Sequence, residues 1–126
     1  MNTKILAALA LLGFALQAPV PPAFAHGPET GPNGGQQVDA GNYHLELVAN
    51  GTALQLYIRD ANDKPVKVDG YKGTAIFVVG GKPQRIPLAP AGGNHLAGTA
   101  TAPLPAKPKG AVQITTAGGE TVQAKY

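Results

Sequence analysis

Apolar positions along the chain fall into two regimes. Residues 5–16 form one unbroken apolar run, from Ile5 through Phe14 to Leu16. From residue 37 onward the apolar residues come instead in short groups with a period of two. Tyr43, Leu45 and Leu47 alternate with His44 and Glu46, and Leu54, Leu56 and Ile58 alternate with Gln55 and Tyr57. This is the signature of strands with one face turned to a core. Between the two groups stands Asn50-Gly51, the strongest short hairpin signal. Residues 74–79 are a continuous apolar strand, turned by Gly80-Gly81 into residues 84–88, where Pro87 suits an edge strand. Further strands are expected around Val66 and Val68, at 95–100, at 112–115 and at 121–126, the last two flanking Ala117-Gly118-Gly119.

The punctuation fits the same reading. Residues 60–65 read as a loop, and the stretch around Pro103, Pro105 and Pro108 as a long extended connection. No helical periodicity and no internal repeat is found. About seven short strands at intervals of roughly 8–12 residues predict an all-β fold, an immunoglobulin-like antiparallel β-sandwich. A small open β-barrel is the alternative. Residues 37–126 are expected to form this single domain, preceded at 26–36 by a Gly/Pro-rich segment that reads as a flexible arm.

The opening run has another destination. A positive start containing Lys4, a short apolar stretch, three helix-breaking prolines and Ala23-Phe24-Ala25 together make a cleavable signal peptide over residues 1–25. The run is too short for a transmembrane helix, which takes about 20 apolar residues. Cleavage after Ala25 would deliver a periplasmic protein beginning at His26, with no membrane span left.

Composition narrows the chemistry. Cysteine is absent and the one methionine is Met1, so no thiolate or thioether is left to hold Cu(I). The formal charge of +3 is scattered, without a basic run interleaved with aromatics, and nucleic acid is not an expected partner. With no serine, no cysteine and no phosphate loop, no catalysis is expected.

What remains is imidazole, amine and carboxylate. His26 at a free N-terminus would offer its α-amine and ring Nδ1 to one ion, a chelate only the first position provides. Pro28 blocks further backbone-amide ligation. His44 and Glu46 project to the same side of a strand, and His95 opens another. If His26, His44, Glu46 and His95 converged they would suit a divalent ion, Cu(II) or Zn(II) above all.

The elements Gly31-Pro32-Asn33-Gly34-Gly35, the run from Gly41 to Val48, and Leu56-Tyr57-Ile58-Arg59-Asp60 with Lys64-Pro65-Val66 resemble a known β-domain. It lies near the N-terminus of membrane-fusion proteins of heavy-metal efflux pumps of the resistance-nodulation-division class, and in related small stand-alone periplasmic proteins. The resemblance implies a periplasmic domain handling copper, zinc, nickel, cobalt or cadmium, with an efflux-pump or other envelope protein as partner. The family's opening motif often carries a histidine where this chain has Asn33, which moves the first ligand to His26. The alternative function is a metal-free protein–protein interaction module of the cell envelope. More remote is a copper-dependent oxidase built on His26.

Overall fold

The computed structural model describes Pro19 and residues 28–126; the expected signal segment, Pro19 apart, and His26 lie outside the described residues. Nine strands and no helix make up the described chain: β1 (Glu29–Thr30), β2 (Gln36–Ala40), β3 (Tyr43–Asn50), β4 (Ala53–Asp60), β5 (Lys72–Val79), β6 (Lys82–Pro90), β7 (His95–Thr99), β8 (Gly110–Thr115) and β9 (Thr121–Lys125). The fold is all-β, as the periodicity predicts. No helix among the described residues is long and apolar enough to cross a membrane.

The strands form one antiparallel sheet in the order β1-β2-β3-β4-β7-β6-β5-β8-β9. It curls on itself into an open half-barrel, closer to the barrel alternative than to two separate sheets. β6 is the corner: residues 82–88 pair with β5, and only Ala89 and Pro90 pair with β7. Gly98 allows the tight approach there, since a Cβ on it would stand 2.4 Å from the Pro87 carbonyl oxygen. Pro87 therefore sits inside the sheet rather than on the expected edge strand. The two-residue turn Gly80–Gly81, with both φ positive, makes Val79 and Lys82 the first hydrogen-bonded pair. By alternation, Pro83 and Pro87 fall at non-bonded positions opposite Val78 and Thr74. Their missing N–H groups face the side of β6 that has no ladder partner.

The core fills the inside of the curl. Leu45, Leu47, Leu54, Leu56, Ile58 and Leu96 come from the first half, and Ala75, Phe77, Ile86, Val112 and Ile114 from the second. Leu104 anchors the proline-rich connection, its N–H donating to the Gly51 carbonyl at 2.8 Å. Residues 29–36, expected to be part of a loose arm, carry β1 and a tight turn instead. β1 pairs Glu29 with Gln37 and Thr30 with Gln36, and the Gly31 N–H donates to the Gly35 carbonyl at 2.9 Å.

Candidate functional site

The outward face of β2, β3 and β4 carries the chemistry. The turn Gly41–Asn42 pairs Asp39 with His44 across the β2–β3 hairpin, and β3 pairs His44 with Arg59 of β4. Asp39 Oδ1 lies 2.5 Å from His44 Nδ1. A carboxylate can only accept, so Nδ1 carries the proton on the Asp39 side and leaves Nε2 as the outward nitrogen of the ring. Facing Nε2 at 3.6 Å is Asp63 Oδ1.

Asp63 comes from the β4–β5 connection, where the local sequence does the positioning. Asp60 Oδ1 accepts from the N–H groups of Asn62 and Lys64 at 2.8 and 3.0 Å, an Asx arrangement that tightens the loop. Asp63 then adopts φ +61°, the one non-glycine positive φ among the described residues, in a conformation that aspartate tolerates better than most residues. Arg59 completes the group. One of its terminal nitrogens donates to Asp63 Oδ1 at 3.2 Å and the other to Gln37 Oε1. Its buried Nε has no hydrogen-bond partner.

Glu46 is placed elsewhere. Although it shares the face of His44, its side chain is fully buried beneath the turn of residues 31–35. It accepts from the Asn33 N–H at 2.8 Å, the Asn33 Nδ2 at 3.0 Å and the Gly35 N–H at 2.9 Å. Gly31 is required beside it, because a Cβ there would stand 2.3 Å from Glu46 Cδ. With its oxygens spent on three donors, Glu46 holds the turn down rather than facing His44. Asn33 is thus a structural partner of that carboxylate.

His95 pairs with Tyr57 and packs against its ring, centroids 5.1 Å apart and planes inclined by 31°. It shares the outward face with His44, but β4 lies between. Two strand spacings and a two-residue offset put the backbones roughly 12 Å apart.

Of the sequence candidates, then, none of the described three is brought beside another, and among the described residues no three His, Asp or Glu side chains converge on a metal position. Asp39, Arg59 and Asp63 were not singled out by sequence. Asp39 was within reach, since a two-residue turn at Gly41-Asn42 dictates its pairing with His44. Asp63 was not, because its position depends on the left-handed backbone of the loop. Comparisons with protein families, curated proteins and solved structures give no match to this chain.

Proposed function

We propose that this chain is an exported protein that binds a divalent transition metal, Cu(II) or Zn(II), at the His44 end of the β2–β3 hairpin. In this reading it serves in the periplasm as a buffer or as an accessory to heavy-metal efflux, and does no catalysis. The observation that carries it is the Asp39–His44–Asp63 alignment. A carboxylate holding Nδ1–H while Nε2 points at a second acceptor is the arrangement that orients metal-binding histidines. Two ligands of a tetrahedral ion stand about 3.3–3.5 Å apart, close to the 3.6 Å from Nε2 to Asp63 Oδ1.

Those two ligands need a third, and the register of β1 favours His26. Because Glu29 pairs with Gln37 and the strands are antiparallel, Pro28 stands at the end of β1 nearer Asp39. His26 is two residues from Pro28, a reach of at most about 7 Å. Arg59 opposes the ion by occupying the same Asp63 oxygen, so binding must displace that contact and leave Arg59 on Gln37.

Calorimetry with Cu(II) and Zn(II) on the processed protein tests this. His44→Ala and Asp63→Asn should abolish tight binding, and Asp39→Asn should weaken it about tenfold to a hundredfold. One glycine inserted before His26 should weaken it strongly with the fold intact, and the Cu(II) paramagnetic spectrum should lose nitrogen couplings in parallel. If processed and extended forms bind no better than the His44→Ala variant, the metal reading fails and the metal-free interaction module takes its place.

A further inference from the structure

The opposite half of the sheet carries a groove that the metal reading does not use. Its outward face, on β5, β6, β8 and β9, encloses about 210 Å³ lined by Lys72, Thr74, Ile76, Arg85, Gln113 and Gln123 among others. Cross-strand pairing lays these side chains out in rows. Arg85, Ile76, Ala111 and Lys125 form one, and Thr74, Gln113 and Gln123 the next. Lys72, paired with Thr115, marks the end of the groove along β5.

The charge here is one-sided. From residue 70 to residue 119 the chain contains no Asp or Glu, while Lys72, Lys82, Arg85, Lys107 and Lys109 fall within that stretch. None of β5, β6, β8 and β9 holds a carboxylate; Asp69 and Glu120 lie just outside the stretch, in its flanking loops. Of these, Lys72 and Arg85 line the groove and make no salt bridge among the described residues; unpaired cations at a cleft attract an anion and raise its local concentration. Between them the surface is uncharged but not inert. Gln113 and Gln123 stand directly opposite each other, and each carboxamide both donates and accepts, which matches the alternating N–H and C=O of an extended peptide. Ile76, 43% exposed, and Ala111 give an apolar patch for a small side chain.

We propose that this groove binds an extended acidic peptide segment of a partner protein. Lys72 and the Arg85–Ile76 row are separated by four residues along β5, about 13 Å. Two carboxylates four residues apart in an extended peptide have the same spacing.

The probe is a fluorescent peptide of about eight residues with two glutamates four apart, compared with its glutamine counterpart by anisotropy on the intact processed protein. The glutamate peptide should bind, more weakly as salt rises, and the glutamine peptide should bind at least tenfold less well. Arg85→Glu and Lys72→Glu should each cost roughly tenfold, and Gln113→Ala a smaller factor with no change in salt dependence. Amide shifts on binding should cluster on β5 and β8. Equal binding of both peptides, or charge reversals without effect in folded variants, overturns the proposal. So does preferential cosedimentation with phosphatidylglycerol-containing vesicles, which would make the face a lipid surface instead.

Discussion

Burying a carboxylate is costly unless donors surround it, and Glu46 meets that condition with two backbone N–H groups and one amide. A glutamine with its oxygen at the Oε2 position still accepts both backbone N–H groups, but its amide nitrogen then faces the Asn33 Nδ2 donor, and the charge that strengthens all three bonds is gone. Glu46→Gln should therefore destabilise the fold by about 1–3 kcal/mol, read from the urea midpoint. The same variant should bind metal as the native protein does, since the proposed ions sit at His44. A loss of affinity at unchanged stability would return Glu46 to the ligand set. The spacing of His44 and Glu46 was legible in the sequence, and so was the turn-forming character of Gly31-Pro32-Asn33-Gly34-Gly35. What that spacing could not show is that the turn folds over the very strand position two residues past His44. That is a tertiary fact, written only in the need for hydrogen at Gly31.

Strands were the most legible elements, because each has one face in the core. β3 and β4 turn the predicted Leu45, Leu47, Leu54, Leu56 and Ile58 inward, with Glu46 buried as well on the other face of β3, and the continuous apolar run of β5 resolves into Ala75 and Phe77 inside with Ile76 and Val78 exposed. The hairpins at Gly51, Gly80–Gly81 and Gly118–Gly119 were likewise written in turn residues. The order of strands was not, since period-two patterning fixes which face is buried and says nothing about which neighbour a strand takes. β6 shows the difference: Pro87 suggested an edge, yet β6 is the corner joining both halves of the sheet, half-free along one side. The device that permits this corner is Gly98, whose added methyl would meet backbone oxygen at 2.4 Å and the side chains of Ile86 and Leu88 at 2.9 Å. Backbone cannot yield as a side chain does, so Gly98→Ala should lose about 1–3 kcal/mol. Gly118→Ala, whose nearest neighbour would be 3.9 Å away, should stay within about 0.5 kcal/mol. Denaturant midpoints of the two variants compare a packed glycine with an open one.

At the scale of the molecule, the curl brings the last strand back toward the first. Tyr126 follows β9 and donates its hydroxyl to the Leu45 carbonyl on β3 at 2.9 Å, joining the two ends of the sheet across the opening. Burial, with the nearby Glu46 carboxylate adding to it, pushes the Tyr126 phenol well above its ordinary range, and burial with a hydrogen bond donated to Tyr71 raises Tyr43 to a lesser degree. A phenol whose folded pKa exceeds its unfolded value of about 10 favours folding in its protonated form. That contribution is complete below pH 10 and is lost as pH rises beyond it, because the unfolded chain releases a proton that the folded chain retains. Stability should accordingly be flat from neutral pH to about pH 9 and decline above pH 10. Tyr126→Phe should lower stability at pH 7 by about 1 kcal/mol through the missing hydrogen bond, while reducing the alkaline decline to what Tyr43 sustains. Urea midpoints between pH 7 and pH 11 measure both effects, and an alkaline slope unchanged in the phenylalanine variant would show that Tyr126 does not couple the ends of the sheet to proton release.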